Sequence, residues 1–454
     1  MPVRLGVNIL KKIGMVSLGC PKNLVDSEIM LGLLDKKKYQ IVNNQDEADI
    51  IIVNTCGFIE TARQESINTI IEMGRCKEKN CKLLVVAGCL AQRYKQEILA
   101  EIPEVDAVLG TGSYSEISDT IEKAFAGEKA EAYGELSNTA YLENDRVLST
   151  GTGYAYLKIA EGCDNCCTYC VIPSLRGPFR SRKLEDIVAE ASKLALQGIK
   201  EVILIAQDTT RYGIDIYKER KLVELIRKIS EIDGIQWIRL LYCYPEEISD
   251  ELLEEMAANP KVCKYLDIPI QHASDGILKS MGRRSSNKDL VELLEKIKSK
   301  IPEAVIRTTL ITGFPGETKE DFDIMAEFVK KYRFDRLGVF MYSKEESTPA
   351  ACMKSQVSKK DKQKRYDELM KIQQPVAEQK NKDRLGRKYK VLAEGVADDG
   401  IFYFGRSYQE APDIDGIIYF TSEQPVAIGS FVNIKILTAE KYDLIGEVEN
   451  ESAE

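Results

Sequence analysis

The sequence predicts an α/β protein with two domains built on parallel β-sheets and a small C-terminal barrel of antiparallel strands. Over most of the 454 residues, short apolar runs alternate with amphipathic stretches at helical spacing. This alternation is typical of strand–helix units in a parallel sheet. After Gly386 five short strands follow one another without helices, which indicates a barrel of the oligonucleotide-binding type. Hydrophobic residues make up 44% of the chain, enough for a true core.

The first predicted domain covers residues 13–128. Its strands are predicted at three apolar runs, Ile13–Leu18, Ile50–Asn54 and Leu83–Ala87. Residues 129–153 are polar with few large apolar side chains, and we interpret them as a linker. Residues 1–12 hold only short apolar pieces, too few for a secretory signal, and we place them outside the fold.

The second predicted domain covers residues 154–375 and repeats the strand–helix alternation six times. Its predicted strands are Ala155–Ile159, Val202–Ile205, Ile238–Tyr242, Tyr265–Ile268, Val305–Ile311 and Leu337–Tyr342. Six such units predict a partial (β/α)6 barrel with its site at the C-terminal ends of the strands. Residues Lys359–Ile372 predict a charged helix, which we expect Pro375 to end.

The third predicted domain, residues 386–450, is the five-stranded barrel. Asp399-Gly400 is a hairpin signal between its first two strands. The five predicted strands are Tyr389–Val396, Ile401–Tyr408, Gly416–Phe420, Phe431–Leu437 and Leu444–Val448.

The composition limits the cellular compartment and the kinds of metal site that we expect for this protein. No apolar run approaches the ~18 residues that span a membrane, so we expect a cytoplasmic protein without a membrane partner. Twelve cysteines in such a chain favour metal binding or catalysis over disulfides. The single histidine, His272, disfavours zinc sites of the Cys₂His₂ kind. The metal sites that this composition still allows are iron–sulfur clusters and a zinc site with four cysteine ligands.

The densest cysteine group follows the strand Ala155–Ile159. Cys163, Cys167 and Cys170 have the spacing C-x3-C-x2-C. Three thiolates can hold three irons of a four-iron cluster and leave the fourth iron open for a small molecule. A zinc site would need Cys166 as its fourth ligand. Because four ligands within eight residues would crowd a tetrahedral ion, we favour the open cluster and give Cys166 no role.

A second group lies in the first domain. Cys20, Cys56 and Cys89 each come directly after an apolar strand and before a helix. In a parallel sheet such positions share one edge, where ligand sites form, so the three thiolates are predicted to converge. The alternative is that all three pack as small hydrophobic residues. We expect no function for the remaining isolated cysteines, Cys76, Cys81, Cys243, Cys263 and Cys352.

The spacing of Cys163, Cys167 and Cys170 resembles that of the radical S-adenosylmethionine superfamily. The segment LITGFPGET resembles the superfamily's glycine-containing turn beside the cofactor, and the matching residues are Gly313, Pro315, Gly316 and Glu317. Gln207 sits just past the second predicted strand of the same domain. It is expected to contact cofactor or substrate, with a structural polar cap as the alternative.

Both cysteine groups, in this order and with a C-terminal barrel, resemble the methylthiotransferases from about residue 13 to 448. The resemblance implies an auxiliary 4Fe–4S cluster on Cys20, Cys56 and Cys89, a second 4Fe–4S cluster that binds S-adenosylmethionine, and a TRAM barrel that engages a macromolecule. Four segments are similar to the branch that modifies an aspartate of a small-subunit ribosomal protein: SLGCPKNLVDSE, AEGCDNCCTYC, AQDTTRYG and IPIQHASD. Cys166 departs from the pattern of this branch.

This resemblance implies β-methylthiolation of a ribosomal-protein aspartate, with an external electron donor, a sulfur donor and no catalytic residues beyond the cluster ligands. We expect the two α/β domains and the barrel to enclose the site. One alternative is the branch that modifies adenosine in tRNA. Another is a non-enzymatic iron–sulfur protein for RNA binding or electron transfer, which the open three-cysteine site disfavours.

The charge of the barrel bears on the substrate. Gly386 to Glu454 contain six basic and thirteen acidic residues, a net charge of −7 out of −9 for the whole chain. Nucleic-acid binding relies on Lys and Arg, so an acidic barrel favours a basic protein partner. The alternative is that the acidic surface serves only solubility.

Overall fold

The computed structural model describes residues 10–449 and divides the chain into two compact units. The first unit contains the described residues up to Ser149, together with Glu161–Asp164 and Cys170–Arg180. The second contains Thr150–Ala160, Asn165–Tyr169 and the described residues from Ser181 onward. Among residues 10–449, no helix is long and apolar enough to cross a membrane.

The first unit is a six-stranded parallel sheet with helices between its strands. Its strands are β1 (Lys11–Ser17), β2 (Tyr39–Val42), β3 (Ile50–Thr55), β4 (Leu83–Gly88), β5 (Ala107–Leu109) and β6 (Ala130–Ala132). Its main helices are α1 (Pro21–Leu33), α2 (Glu60–Gly74), α3 (Cys89–Glu101) and α4 (Ile117–Phe125). The central strands β3 and β4 are buried along their whole length, as their unbroken apolar runs predict.

The strand order of this sheet is β2-β1-β3-β4-β5-β6. The chain moves outward from β1 to β2 and then returns to place β3 on the other side of β1. This reversal creates a crevice beyond the carboxyl ends of β1 and β3, which is where ligands bind in open α/β sheets. The three predicted strands of this domain are confirmed.

The boundaries of the first unit differ from the predicted ones. Lys11 and Lys12, which we placed outside the fold, belong to β1, and residues 1–9 lie outside the described residues. Much of the segment interpreted as a linker belongs to the first unit, because β6 pairs with β5. Tyr141 is buried, and Arg146 forms an ion pair with Glu28 at 2.6 Å. Tyr141 and Arg146 are isolated side chains and do not form an apolar run. The sequence therefore gives no sign that this segment belongs to the first unit.

A short connecting stretch contains β7 (Tyr154–Lys158), β8 (Ala160–Glu161), α5 (Ile172–Arg176) and β9 (Arg180–Ser181). The parallel sheet of the second unit has the order β14-β13-β12-β11-β10-β7. Its further strands are β10 (Glu201–Ile205), β11 (Trp237–Leu240), β12 (Val262–Asp267), β13 (Val305–Thr312) and β14 (Arg336–Met341). Consecutive strands are neighbours, so the predicted six-stranded partial barrel is confirmed.

Helices follow the strands of the second sheet in turn. They are α6 (Leu184–Leu196), α7 (Ile214–Tyr217), α8 (Leu222–Ser230), α9 (Asp250–Ala258), α10 (Asp275–Ser280), α11 (Asn287–Lys300), α12 (Lys319–Tyr332) and α13 (Lys359–Lys382). Thr318 and Asp321 form a capping box that starts α12 directly after the turn that follows β13.

The expectation that Pro375 ends the charged helix is wrong, because α13 continues through it to Lys382. Proline removes one helical hydrogen bond, but packing on both sides of it holds the helix. Gln373 and Val376 are buried, and the Gln373 side chain donates to the backbone oxygen of Phe334 at 2.9 Å.

The C-terminal residues form a closed barrel. Its strands are β15 (Lys388–Val396), β16 (Tyr403–Arg406), β17 (Ile418–Thr421), β18 (Phe431–Ala439) and β19 (Leu444–Val448). Their order is β15-β16-β17-β19-β18. The five predicted strands are confirmed, but the barrel is not wholly antiparallel as predicted, because β17 and β19 pair in parallel. The segment from β17 to β19 contains β18, a complete strand, and this crossover brings two strands back in the same direction.

The barrel packs within the second unit against residues that begin the strands of the parallel sheet. Trp237, the first residue of β11, packs edge-on against Phe431 with ring centroids 4.6 Å apart. Arg406 contacts Glu201, the first residue of β10, at 2.7 Å. The sites of such sheets lie at the opposite, C-terminal ends of the strands. The expectation that the barrel helps to enclose the site is therefore wrong.

Candidate functional site

Cys20, Cys56 and Cys89 lie at the carboxyl ends of β1, β3 and β4, in three loops that touch one another. Gly19, before Cys20, has a φ of +89°, and a Cβ added there would lie 2.7 Å from the Cβ of Cys56. A Cβ added at Gly57 would lie 2.9 Å from the carbonyl oxygen of Cys89. Both positions need glycine for close approach. The predicted convergence of the three cysteine loops is therefore present in the first unit.

Asn23 ties these loops together. Its buried side chain donates to the carbonyl oxygens of Leu18, at 3.0 Å, and Thr55, at 2.9 Å. The backbone carbonyl oxygen of Asn23 accepts from the side-chain amide of Asn54 at 2.8 Å. A buried amide with all these partners fixes loop geometry. Asn23 carries no signal in sequence, since a polar residue on an amphipathic helix is ordinarily exposed.

The environment of the three thiols suits metal binding. Burial, together with the nearness of Cys89 and Cys20, raises the pKa of Cys56 to about 12. Burial also raises the pKa of Cys89. Thiolates crowded in an apolar site are unfavourable until a cation compensates them. A donor set of thiols alone fits iron–sulfur chemistry.

Among residues 10–449, no three His, Cys, Asp or Glu side chains are arranged around a single ion. A four-iron cluster makes a different demand, because its three thiolates bind three separate irons. The spread of the thiols over three loops is compatible with such a cluster.

Arg176, which ends α5, was missed in sequence. Its guanidinium is buried and forms ion pairs with Asp26 at 2.6 Å and Glu161 at 3.2 Å. Its Nε donates to the Sγ of Cys89 at 3.3 Å. The only signal would have been an arginine set in the apolar stretch VIPSLRG directly after the last cysteine of the dense group.

Cys163 and Cys170 belong to the first unit. Cys163 is buried, and its backbone N–H donates to the carbonyl oxygen of Gly177 at 3.1 Å. The Sγ of Cys170 accepts from the N–H of Ile172, the first residue of α5, at 3.4 Å. Both cysteines are thus held by the segment around α5.

Cys167 belongs to the second unit. Its Sγ lies 3.6 Å from the Oη of Tyr244. The neighbouring Thr168 donates its N–H to the carbonyl oxygen of Met281 at 3.0 Å, and Asn165 donates to Asp208 at 3.0 Å. Cys166 is exposed.

The turn that follows β13 lies beside this loop, since the rings of Phe314 and Tyr169 are 6.4 Å apart. Gly313 has a φ of +70°, and its N–H donates to the carboxylate of Glu317 at 2.8 Å. Arg365 also donates to that carboxylate at 2.5 Å. Glu317 therefore braces the turn, and its contact with cofactor stays a prediction.

The other predicted cofactor-binding residues sit near this loop. Pro315 is buried, and Gly316 is exposed with a φ of +87°. Gln207 is half-buried two residues after the end of β10, and its neighbour Asp208 binds Asn165. This position suits either a cofactor contact or a polar cap.

Arg283 was also missed in sequence, where nothing distinguishes it from the adjacent Arg284. Its buried guanidinium stacks over the ring of Tyr244, 4.4 Å from the centroid. One nitrogen, Nη2, pairs with Glu246 at 3.3 Å, while Nε and Nη1 have no hydrogen-bond partner among residues 10–449. Two buried donors beside Cys167 and its neighbour Tyr244 fit an anionic group such as the carboxylate of an amino acid.

Comparison with known proteins agrees with this arrangement. Residues 12–110 match the uncharacterized protein family UPF0004, residues 157–329 match the radical SAM superfamily, and residues 385–448 match the TRAM domain. The chain has the fold of a radical S-adenosylmethionine methyltransferase, TsrM from Kitasatospora setae, with a TM-score of 0.55 at 12% identity over 75% of each chain.

Full-length relatives are much more similar. A protein of Acetivibrio thermocellus is 59% identical over 98% of this chain and 99% of its own length. One of Lachnoclostridium phytofermentans is 54% identical over 96% of this chain and its whole length. Each is named ribosomal protein uS12 methylthiotransferase RimO. The chain therefore belongs to the RimO family of methylthiotransferases, within the radical SAM superfamily.

Proposed function

We propose that this protein methylthiolates the β-carbon of an aspartate in ribosomal protein uS12, using two 4Fe–4S clusters and S-adenosylmethionine. The auxiliary cluster would be held in domain 13–128 and the S-adenosylmethionine cluster in domain 154–375. Domain 386–450 would engage the substrate. The proposed ligands are Cys20, Cys56 and Cys89 for the first cluster and Cys163, Cys167 and Cys170 for the second. The contact of three cysteine loops at one sheet edge is the observation that carries this proposal.

The bound cofactors would supply reductive cleavage of S-adenosylmethionine, and with it the removal of hydrogen from an unactivated carbon. The hydrogen would end in 5′-deoxyadenosine, and sulfide from an external sulfur donor would replace it on the carbon. The one electron that formation of the C–S bond releases would balance the one electron that cleavage of S-adenosylmethionine consumes, which an external electron donor would supply first. A second S-adenosylmethionine would transfer its methyl group to the sulfur and leave as S-adenosylhomocysteine.

Residues of this chain would position the cofactor. The two donors of Arg283 that have no partner within residues 10–449 suit the carboxylate of S-adenosylmethionine. The turn of Gly313, Pro315 and Gly316, braced by Glu317, lies against the cysteine loop through Phe314. Gln207 would either contact the cofactor or serve as a polar cap at the end of the sheet. The chain's role is to hold these groups in place and to exclude water from them.

The charge of the barrel supports a protein substrate over tRNA. Residues 386–454, which include the barrel, carry a net charge of −7, and an acidic surface attracts a basic protein and repels phosphate. A tRNA adenosine methylthiotransferase would need a basic surface on the domain that engages RNA.

The test is an anaerobic reaction of the reconstituted protein with S-adenosylmethionine, a strong reductant, sulfide and purified uS12. The expected result is a methylthio group on one aspartate of uS12, located by peptide mass spectrometry. A substrate deuterated at the aspartate β-carbon should pass its label into 5′-deoxyadenosine.

The competing outcomes are distinct. Label transfer from deuterated adenosine in tRNA, and none from uS12, would replace the proposed substrate. No 5′-deoxyadenosine with either substrate, in a preparation that holds both clusters, would indicate a non-enzymatic iron–sulfur protein. The unmodified uS12 comes from cells that lack this enzyme, so that the target aspartate is free.

A further inference from the structure

We propose that Arg176 is a positioning residue that sets the reduction potential of the auxiliary cluster through a hydrogen bond to the sulfur of Cys89. The inference rests on the proposed function, because it requires a cluster on Cys20, Cys56 and Cys89. It goes further by assigning a role to a residue that binds neither iron nor substrate.

The contacts of the two terminal nitrogens leave the Nε–H of the guanidinium for the sulfur. The Nη1 nitrogen of Arg176 pairs with Asp26 at 2.6 Å and Glu161 at 3.2 Å. The Nη2 nitrogen donates to the side-chain oxygen of Asn23. The Nε–H points elsewhere and donates to the Sγ of Cys89 at 3.3 Å. Because the fork of an arginine is planar and rigid, the first three partners fix the direction of the fourth bond.

The environment makes this bond effective. The side chains of Arg176, Asp26 and Glu161 are each exposed by 2% or less, and Cys89 is buried. Electrostatic interactions are strong where water is excluded. Hydrogen bonds and net charge around the sulfurs are among the factors that set the reduction potential of an iron–sulfur cluster. A buried cation that donates to a ligand sulfur stabilises the more negative, reduced state.

Arg176 is also placed to connect the two cysteine groups. It is the last residue of α5, a helix of five residues. The first residue of that helix, Ile172, donates its N–H to the Sγ of Cys170. The residue after the helix, Gly177, accepts the N–H of Cys163. One short helix and the residue after it therefore contact proposed ligands of both clusters.

A purely structural ion pair between Arg176 and Asp26 is the competing explanation. It predicts a loss of stability when Arg176 is changed, and no change in potential. The reduction potential of the isolated auxiliary cluster separates the two explanations.

The experiment uses the full chain with Cys163, Cys167 and Cys170 changed to alanine, so that only the auxiliary cluster is present. Its midpoint potential is measured anaerobically by a redox titration followed by electron paramagnetic resonance. Arg176→Met in this background should make one-electron reduction at least tenfold less favourable, a negative shift of about 59 mV or more. Asp26→Asn should shift the potential in the opposite direction, because the guanidinium is then less compensated.

The matched control is Arg146→Met. Arg146 is also buried in the first unit and pairs with a carboxylate, Glu28, at 2.6 Å. Its partner Glu28 lies in α1, about two helical turns beyond Cys20. The control should keep the parent potential even where it lowers stability.

The outcomes are decisive in each case. If the parent background binds far less iron than one four-iron cluster, the proposed function fails. If that background binds its cluster and Arg176→Met leaves the potential unchanged, the role of Arg176 is overturned. Should Arg176→Met fail to fold, Asp26→Asn decides: an unchanged potential there also overturns the inference, and a positive shift supports it.

Discussion

Arg406 of the barrel forms an ion pair of 2.7 Å with Glu201, the first residue of β10, and both side chains are almost fully buried. Arg239, the neighbour on β11, reaches the other oxygen of the same carboxylate at 2.6 Å. The backbone oxygen of Tyr408 accepts from Arg239 at 2.8 Å. One carboxylate thus compensates two buried guanidinium groups where the barrel meets the parallel sheet.

Glu201→Gln should therefore destabilise the second unit strongly. The change leaves the buried Arg239 without its carboxylate partner and leaves Arg406 with Glu394 alone, and breaking a buried ion pair costs about 3–5 kcal/mol. The free energy of unfolding from a urea titration measures the effect. Glu224→Gln is the control, because Glu224 pairs with Lys221 on the surface and such pairs contribute about 0–1 kcal/mol. Equal stabilities for the two variants would contradict the prediction.

Acid should destabilise the same junction through Glu410. Burial alone would raise the pKa of Glu410, but Arg384 and Arg336 outweigh it and lower the pKa from 4.5 to about 2. A carboxyl group with a lowered pKa stabilises the folded state above its unfolded pKa. This stability should be lost as the pH falls from about 4.5 towards 2.

The check is a set of urea titrations at several pH values for the parent and for Glu410→Gln. The variant should be less stable at neutral pH and should lose less stability on acidification. Parallel pH profiles for the two proteins would show that Glu410 does not carry the effect.

The sequence predicts the sheets and the approach of the first three cysteine loops well because their signals are local. The unbroken apolar runs of β3 and β4 mark buried parallel strands, and Cys56 and Cys89 directly follow them. Each cysteine needs only its own strand and the rule that parallel strands end at one edge. The three loops of the first unit are therefore brought together as predicted.

The missed features depend on contacts between residues far apart in the chain. Arg176 and Asp26 are 150 positions apart, so neither residue signals the other in sequence. Pro375 lies within a helix because tertiary packing outweighs a local preference, and the parallel pair of β17 and β19 depends on how the barrel closes. The position of the barrel depends on individual ion pairs such as that of Arg406 with Glu201. Such pairs produce no periodic pattern in the sequence from which they could be predicted.

Iron content should respond separately to the two cysteine groups. Changing Cys20, Cys56 and Cys89 together to alanine should remove about half of the iron of the reconstituted protein. The variant should still cleave S-adenosylmethionine, since that activity is assigned to the other group. Iron and sulfide analysis with measurement of 5′-deoxyadenosine provides the check. Cys243→Ala is the control, because Cys243 is buried and its thiol contacts the hydroxyl of Thr209 at 3.6 Å. Full iron content in the triple variant would disprove the auxiliary site.

Pro375→Ala should stabilise the second unit. Proline in the interior of a helix removes a hydrogen bond and costs about 3 kcal/mol relative to alanine, and Pro375 is exposed within α13. Alanine also restores conformational freedom to the unfolded chain, which offsets part of that difference, so we expect a gain of about 1–2 kcal/mol. Lys364→Ala, at an exposed position of the same helix, should change the free energy of unfolding little. A loss of stability in Pro375→Ala would indicate that the proline makes contacts of its own.

Gly19→Ala adds only a methyl group, but it should reduce iron binding at the auxiliary site. Gly19 has a φ of +89°, and an added Cβ would lie 2.7 Å from the Cβ of Cys56. The backbone conformation alone costs an L-residue about 1–2 kcal/mol, and the contact must then push the Cys56 loop away. Gly127→Ala is a close control, because Gly127 has a φ of +88° in the same unit and nothing lies within 4 Å of its added Cβ. Both variants should lose stability in thermal unfolding of the apoprotein, but only Gly19→Ala should also lose iron. If both variants bind iron as the parent does, the approach of these two loops is not needed to hold a cluster.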